Sequence, residues 1–302
     1  MRNRTTVKWK RVIDKNKRDR IKALESERQE RMAELKFTGT GEYVASSQLM
    51  ESVNIAIALQ KPLLIKGEPG TGKTMLAQAI ADSLEKKLLI WNIKSTTKAQ
   101  DGLYLYDTIQ RLYDGQFGEE GVDQIEKYIK LGKLGEAFAA EEQVVLLIDE
   151  IDKADLEFPN DLLWELDQME FYIHETRKNV KAKHRPIVII TSNAEKELPD
   201  AFLRRCIFHF IDFPDEILME EIVKTHYPQV EENVLKNAMQ VFYWIRSIRD
   251  IRKKPSTSEL IDWVNALSLS GIDTEHLRKE LPFIGVVLKK DEDVETIRHS
   301  LD

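Results

Sequence analysis

Cysteine is nearly absent from this sequence. The single one, Cys206, cannot form a disulfide within the chain, and a reducing compartment is expected. Long apolar runs are missing too, since none approaches the roughly 20 residues that a membrane helix needs. The six histidines lack the spacing typical of metal ligands. These absences argue against a disulfide-rich secreted domain, a membrane-spanning protein and a histidine metal site. We expect a cytoplasmic protein without a membrane partner.

An excess of positive charge is also missing. The chain has 302 residues and a formal net charge of −7, which argues against nucleic-acid binding by the whole surface. Hydrophobic residues make up 42% and charged residues 32%, as in a globular protein with a charged surface. Residues 1–36 are mostly charged and predict a solvated helical extension. A partner-docking or nucleic-acid arm is the alternative for this segment.

The strongest positive signal is the run Gly67–Thr74, which fits G-x-x-x-x-G-K-[ST], a loop that binds nucleoside triphosphates. A short apolar strand precedes it and a helical pattern follows it. Its glycines let successive backbone N–H groups point at phosphate oxygens, beside the positive end of the helix. Lys73 is expected to contact the β and γ phosphates, and Thr74 to bind Mg²⁺. The predicted nucleotide contacts of this segment are Gly67, Glu68, Pro69, Gly70, Thr71, Gly72, Lys73, Thr74 and Met75.

A second, acidic motif follows the apolar run at residues 144–148. Such a run is typical of a strand covered on both faces, and it ends in Asp149 and Glu150. At the carboxyl end of a parallel strand, Asp149 can hold Mg²⁺ through water beside the phosphate loop. Glu150 is then placed to orient an attacking water or to accept its proton. The second carboxylate predicts hydrolysis of the nucleotide rather than binding alone.

Two weaker signals come next. The strand-like run at 187–192 leads to Asn193, whose amide could reach a γ-phosphate and a catalytic water. The run Leu198–Cys206 then contains the adjacent arginines Arg204 and Arg205. A solvated surface pair is the ordinary interpretation of two such arginines. In a ring ATPase they would instead face the γ-phosphate of the neighbouring subunit.

In this order and spacing, the four motifs resemble those of AAA+ ATPases, and among them the MoxR-type branch, which groups with the dynein-related AAA+ modules. The residues that carry the resemblance are Gly67–Thr74, Leu147–Asp155, Ile190–Asn193 and Leu198–Cys206. The last is similar to the family pattern L-P-x-A-F-L-x-R-F, with Cys206 in place of the usual phenylalanine. The resemblance covers roughly residues 40–270.

The resemblance implies a role for each of the first two motifs. Lys73 and Thr74 would bind phosphate and Mg²⁺. Asp149 would support the metal and contribute to the nucleotide site, and Glu150 would activate water.

The resemblance also implies roles outside the phosphate loop. Asn193 would be the first sensor, Arg205 the finger that acts on a neighbouring subunit, and Arg204 a second candidate for that finger. In the family, the segment before the first core helix lies against the base. Tyr43 and Val44 are therefore candidates for packing on adenine, and simple coverage of the core is the alternative.

Fold and assembly follow from the same resemblance. We expect an α/β P-loop AAA+ core with a parallel sheet flanked by helices, plus a small all-α C-terminal lid. The predicted division places the extension at 1–36, the core at 37–214 and the lid at 215–302. A ring dependent on Mg²⁺ and ATP, expected to be a hexamer, would remodel or mature a partner protein. In this family that partner often has a von Willebrand factor A domain.

Two other functions compete with this one. A nucleotide-dependent nucleic-acid loader or motor subunit is motivated by the basic N-terminal arm and by the basic hairpin tip at 177–183. The acidic net charge and the lack of a DNA-binding module argue against it. A scaffold that holds ATP without turnover is the third, and Glu150 speaks against it.

One position departs from the family pattern. Where the lid of AAA+ proteins begins a helix with a second-sensor arginine, this sequence has Ser256. The preceding basic residues, Arg252, Lys253 and Lys254, either substitute for that arginine or simply cover the helix end. Ser256 and Glu259 form an S-x-x-E pattern, which predicts a capping box at a helix start.

Overall fold

The computed structural model describes residues 36–40, 43–193 and 195–300. The predicted N-terminal extension therefore lies outside the described residues, apart from Lys36. Within the described ranges, no helix combines the length and the apolar character needed to cross a membrane.

Strands and helices alternate through much of the described chain before a purely helical part begins. The strands are β1 (Leu63–Gly67), β2 (Leu88–Asn92), β3 (Tyr104–Tyr106), β4 (Ile129–Leu131), β5 (Val145–Asp149), β6 (Glu170–Ile173), β7 (Lys178–Lys181), β8 (Ile187–Ser192) and β9 (Ile207–Ile211). The helices are α1 (Ser47–Leu59), α2 (Lys73–Ser83), α3 (Thr108–Phe117), α4 (Lys133–Ala139), α5 (Phe158–Asp161), α6 (Leu163–Gln168), α7 (Asp200–Leu203), α8 (Glu216–His226), α9 (Glu232–Ser247), α10 (Thr257–Ser270), α11 (Leu277–Glu280), α12 (Ile284–Val287) and α13 (Asp291–His299).

One parallel sheet organises the α/β part, with the strand order β2-β5-β8-β1-β9. In the centre of the sheet, Leu63 of β1 pairs with Ile189 of β8 on one side and with Ile207 of β9 on the other. Helices cover both faces of such a sheet, so its central strands are apolar along their whole length. Every residue of β8 is buried for this reason.

The five strands end at the same edge of the sheet. Their last residues are Gly67, Asn92, Asp149, Ser192 and Ile211. Open α/β sheets bind ligands outside this carboxyl edge. The topology therefore places the phosphate loop, the acidic pair and the predicted sensor next to one another.

Successive side chains of each strand pack into two separate apolar layers, because they point to opposite faces. Leu64 and Leu146 belong to the layer that contains Phe138 of α4. Ile65 and Leu147 belong to the layer on the other face, with α1 and α2. Packing in these two layers holds the strands in place, and so it fixes the position of the strand ends that carry the site.

The helices α8 to α13 pack around an apolar core of their own. Phe242 and Trp263 are fully buried in it. The Trp263 indole donates to the Pro282 carbonyl oxygen at 2.8 Å. The Tyr243 hydroxyl donates to the Pro214 carbonyl oxygen at 2.7 Å, which ties this helical part to the segment that leaves the sheet.

The predicted fold class is confirmed, and two parts of the chain differ from the predicted elements. Strand β9 has no counterpart among the predicted strands. It lies at the edge of the sheet, where Phe208 and Phe210 are exposed, and His209 interrupts its apolar run. Residues 95–143, for which the sequence predicts a helix-rich, partly irregular insert, also contain an antiparallel strand pair, in which Tyr104 of β3 faces Leu131 of β4.

Candidate functional site

A cleft of about 780 Å³ opens at the carboxyl edge of the sheet. The phosphate loop, the chain from Tyr43 to Leu49 and the lid helices α8 and α10 surround it. Its volume lies within the range of pockets that hold small molecules and cofactors. Of the predicted loop contacts, those that line the cleft are Pro69, Gly70, Thr71, Gly72, Lys73, Thr74 and Met75.

The backbone of the phosphate loop has the shape that its glycines permit. Gly70 and Gly72 have φ angles of 77° and 78°, a region that L side chains rarely adopt. The Thr71 hydroxyl donates to the Glu68 carbonyl oxygen at 2.8 Å and closes the turn. A Cβ atom at Gly70 would also lie 2.5 Å from Cβ of Ser256, so the lid rests directly on the loop at this point.

Lys73 is buried at the start of α2, with 6% of its surface exposed. Its Nζ donates to the carbonyl oxygens of Gly67 at 3.0 Å and Glu68 at 2.7 Å. Burial lowers the pKa of the Lys73 amine, although nearby carboxylates, led by Asp152 and Asp149, act in the opposite direction. The carbonyl oxygens of Gly67 and Glu68 thus accept hydrogen bonds from the Lys73 ammonium group that phosphate oxygens would accept in a nucleotide complex.

Thr74 and Asp149 form the pair predicted to hold Mg²⁺. The Thr74 Oγ1 lies 3.1 and 3.2 Å from the two carboxylate oxygens of Asp149. The Thr191 hydroxyl donates to Asp149 Oδ1 at 2.6 Å and fixes the carboxylate. Mg²⁺ prefers oxygen ligands and binds through one or two carboxylates together with phosphates and water, so these residues fit the ion. When bound there, Mg²⁺ would offset the charge of the phosphate oxygens.

Glu150 is held by its backbone and by both carboxylate oxygens. Its φ of 58° is uncommon for a residue other than glycine, and its N–H donates to Thr191 Oγ1 at 2.8 Å. Its Oε1 accepts from Asn193 Nδ2 at 2.9 Å, and its Oε2 pairs with Lys153 Nζ. The contact with Glu150 raises the pKa of the Lys153 amine. The predicted base and the predicted first sensor are therefore in direct contact.

The buried carboxylate of Asp152 supports that contact. Asp152 is 2% exposed, and its two oxygens accept from the amides of Asn193 at 3.3 Å and Glu195 at 2.9 Å. The backbone that carries the Asn193 side chain is thereby tied to the segment that carries Glu150.

Tyr43 and Val44 line the cleft, which is where residues that pack on a base would have to lie. A Cβ atom at Gly72 would lie 3.3 Å from the Tyr43 ring, so the tyrosine packs against the phosphate loop. Burial raises the pKa of the Tyr43 hydroxyl well above its usual range. The lid contributes apolar side chains to the same cleft, among them Ile222 and Ile261. Contact of Tyr43 and Val44 with adenine stays a prediction.

Arg204 and Arg205 are exposed and are not among the described residues that line the cleft. Arg205 Nε donates to Asp167 Oδ2 at 2.7 Å, and its Nη1 donates to the Ala201 carbonyl oxygen at 2.8 Å. Next to them, burial raises the pKa of the Cys206 thiol to about 12, so this cysteine is not a reactive thiolate. The arginine pair is accessible to a neighbouring molecule, and its action there stays a prediction.

The basic run before α10 faces α13 rather than the cleft. Arg252 pairs with Glu292, and the amides of Arg252 and Lys253 donate to the carboxylate of Asp293 at 2.8 and 3.1 Å. The Lys253 Nζ lies 3.6 Å from Glu259 Oε1. Of the two interpretations of this run, the structure favours coverage of the helix end.

An arginine that no sequence motif marks connects the lid to the phosphate loop. Arg246 of α9 donates to Glu68 Oε2 at 2.8 Å and to the Pro255 carbonyl oxygen at 2.5 Å. Its guanidinium carbon lies 3.3 Å from the centre of the Phe213 ring. Glu68 is 178 residues away in the sequence, so local pattern gave no signal for this contact.

Three further residues of the site, Thr191, Asp152 and Lys153, were not predicted from the sequence. Each stands inside a run that was recognised, since Asp152 and Lys153 follow the acidic pair and Thr191 precedes Asn193 by two residues. Thr191 lies near the end of β8, and Asp152 and Lys153 lie in the helical turn just after β5. This place was the available signal, because polar side chains near the carboxyl ends of parallel strands lie at the ligand edge.

A glycine-rich loop of this shape after β1, with its lysine and with an acidic pair at the carboxyl end of β5 in the same sheet, defines a P-loop ATPase. The family model described as "ATPase family associated with various cellular activities (AAA)" matches residues 63–215, about half of the chain and the whole of the parallel sheet. The chain belongs to this AAA family. A second family model, for the parvovirus non-structural protein NS1, matches residues 3–92.

Two curated relatives are similar over short segments. Midasin of Dictyostelium discoideum is 43% identical over 56 residues, which is 18% of this chain and 1% of that protein. Midasin of Giardia intestinalis is 40% identical over 83 residues, 26% of this chain and 2% of that protein. The chain therefore spans a very small part of the length of these relatives. The similarities support the AAA family, and the MoxR-type branch stays a prediction.

Proposed function

We propose that this AAA protein hydrolyses ATP with Mg²⁺ in a ring, in which each subunit completes the site of its neighbour. The observation that carries this is the composition of the cleft. The described residues that line it include Lys73, Thr74, Asp149 and Glu150, and no arginine is among them. Phosphoryl transfer develops charge that an arginine finger commonly stabilises. The exposed Arg205 of an adjacent subunit is proposed to supply it.

The contacts of the cleft suggest how the residues divide the work. Lys73 exchanges the loop carbonyls for phosphate oxygens, so its donors are never left unpaired. Glu150 releases Lys153 and accepts a proton from water, while Asn193 keeps the other carboxylate oxygen in place. The water oxygen forms a bond to the γ-phosphorus as the bond to the departing ADP oxygen breaks. The products are ADP, phosphate and a protonated Glu150.

Mixing two inactive variants tests both hydrolysis and the shared site. Glu150→Gln is expected to bind ATP without turnover, and Arg205→Ala to lose a factor on the order of 10³–10⁵ in turnover. In mixed rings, an Arg205→Ala subunit keeps Glu150 and receives Arg205 from a Glu150→Gln neighbour. With random mixing at equal amounts, about a quarter of the interfaces are complete, and steady-state ATP hydrolysis should recover to roughly that fraction.

The control is a mixture of Lys73→Ala with Glu150→Gln. Both changes damage the same cleft, so no interface in that mixture is complete and no recovery is expected. If Glu150→Gln and Arg205→Ala assemble together but hydrolysis does not recover, Arg205 is not the residue that acts between subunits. Near-normal hydrolysis by Glu150→Gln alone would remove it from the role of base.

We further propose a MoxR-like role, in which the ring remodels or matures a partner protein that has a von Willebrand factor A domain. The support is the similarity of Leu147–Asp155 and Leu198–Cys206 to the motifs of that branch. Because Glu150→Gln should hold ATP without hydrolysis, it is expected to retain its partner. Affinity purification in the presence of ATP, followed by mass spectrometry, should recover a protein of this kind.

Lys73→Ala, which should not load ATP, is the matched control for this purification. The partner should be enriched with Glu150→Gln over Lys73→Ala. Enrichment of a polymerase clamp or of nucleic acid would support the loader function instead, and would contradict the proposed role.

A further inference from the structure

The helix α10 begins directly over the phosphate loop. The capping box of Ser256 and Glu259 forms at its start, and Glu259 Oε2 accepts from the Ser256 amide at 2.6 Å. A Cβ atom added to Gly70 would lie 2.5 Å from Ser256 Cβ and 2.7 Å from its Oγ. The N-terminus of a 14-residue helix is therefore in contact with the loop predicted to surround the phosphates.

The first residues of α10 have donors to offer at this place. The amides at the start of an α-helix have no acceptor within the helix, and they carry its positive end. Thr257 and Ser258, the first two residues of α10, both line the cleft. Such amides are an anion-binding arrangement when an anion can reach them.

The buried hydroxyl of Thr257 is evidence for a ligand that is independent of the helix end. Thr257 is 7% exposed, and its hydroxyl oxygen is buried without a hydrogen-bond partner in the described part of the chain. Most buried hydroxyls in proteins are paired, because leaving one unpaired is unfavourable. An incoming phosphate oxygen would pair this hydroxyl, and the same cleft contains Lys73 and Thr74.

The position of this helix start is fixed by contacts that do not involve a ligand. Arg246 donates to the carbonyl oxygen of Pro255 and to the carboxylate of Glu68, so it joins the residue before Ser256 to the phosphate loop. The basic residues Arg252 and Lys253 are paired with Glu292 and Glu259 and are not among the described residues lining the cleft. Among the described residues that line the cleft, no lysine or arginine comes from the lid.

We propose that the start of α10 is a phosphate subsite, in which the Thr257 hydroxyl and the amides of Thr257 and Ser258 bind the phosphate chain of the nucleotide. It replaces, with neutral donors, the charged contact expected from a lid arginine. The inference rests on the proposed binding of ATP to the cleft.

The test compares Thr257→Val, which removes the hydroxyl at nearly constant shape, with Thr257→Ser, which keeps it. Titration calorimetry with Mg²⁺ and a non-hydrolysable ATP analogue should show about tenfold weaker binding for Thr257→Val, the effect of one hydrogen bond to a charged group. Thr257→Ser should stay within about threefold of the wild type. Without nucleotide, the melting temperature of Thr257→Val should not fall, because the lost hydroxyl had no partner.

Thr274→Val is the matched control, because Thr274 is a lid threonine of similar burial whose hydroxyl is paired, accepting from Asn237 Nδ2 at 2.9 Å. It should lower the melting temperature and leave the affinity for the analogue unchanged. If the wild type binds the analogue and Thr257→Val binds it within about twofold, the subsite is wrong and the proposed ATP binding stands. A wild type that does not bind the analogue would overturn both.

Discussion

The two walls of the cleft differ in how their polar groups are paired. On the core wall, the side chains predicted to bind the nucleotide and to act in its hydrolysis already have partners within the protein. Lys73 lies on loop carbonyls, Asp149 accepts from Thr74, and Glu150 accepts from Asn193. The lid wall combines apolar side chains, such as Ile222 and Ile261, with polar ones, and the buried hydroxyl of Thr257 there has no partner in the described structure.

This difference predicts how each wall responds to a ligand. The core wall must exchange internal hydrogen bonds for contacts with phosphate, so its net gain is smaller than the number of contacts suggests. On the lid wall, the Thr257 hydroxyl gives up no internal hydrogen bond when it gains a contact. Substitutions on the core wall should therefore disturb binding most, and those on the lid side should reduce affinity without abolishing it.

Lys73→Ala is expected to have the largest effect. Removal of the ammonium group takes away charge-assisted hydrogen bonds to phosphate, and ATP affinity should fall by roughly 100-fold or more. Titration calorimetry with the analogue measures this loss. Lys66→Ala is the control, since Lys66 lies on β1 directly before the phosphate loop and is not among the described residues that line the cleft. If Lys73→Ala bound the analogue within about threefold of the wild type, the claim that the core wall dominates binding would be wrong.

Arg246→Ala should have a smaller effect, because Arg246 positions the lid and lies behind the lining of the cleft. Loss of its contacts with Glu68, Pro255 and Phe213 frees the start of α10 from the loop, and ATP affinity should fall by about fivefold. The affinity is measured as for Lys73→Ala.

Arg246→Lys sharpens the Arg246 prediction. A lysine can keep the ion pair with Glu68 but lacks the planar fork that also reaches Pro255, so its affinity should lie between those of wild type and Arg246→Ala. Glu68→Gln should have a weaker effect than Arg246→Ala, since the Glu68 side chain is 48% exposed and such pairs are screened by water. An unchanged affinity in Arg246→Ala would show that other contacts hold the lid in place.

The core wall was predictable from the sequence because its residues are close together in short motifs. Gly67–Thr74 needs a strand in front of it and a helix after it, and the apolar run that leads to Asp149 can be accommodated by a buried parallel strand. Parallel strands bring their carboxyl ends to one edge, which is why the motifs alone place Asn193 near Glu150.

The lid wall could not be predicted in the same way. An all-α lid was expected, but the orientation of its helices over the loop depends on contacts between distant residues. The Arg246–Glu68 pair joins positions 178 residues apart, and a lone arginine at a helix end carries no pattern. From the sequence, the basic run at 252–254 either substitutes for the second-sensor arginine or covers the helix end, and in the structure Arg252 and Lys253 contact Glu292 and Asp293. The edge strand β9 was missed because His209 breaks its short apolar run.

Because the backbone at Glu150 is left-handed, thermal stability and ATP turnover place opposite demands on this one residue. A side chain other than glycine held in that region costs on the order of 1–3 kcal/mol. Glycine at this position would relieve the cost and delete the carboxylate at the same time. A laboratory selection for thermal survival alone would therefore favour chains that have lost the proposed base, so any search for a hardier variant needs ATP turnover as a second criterion.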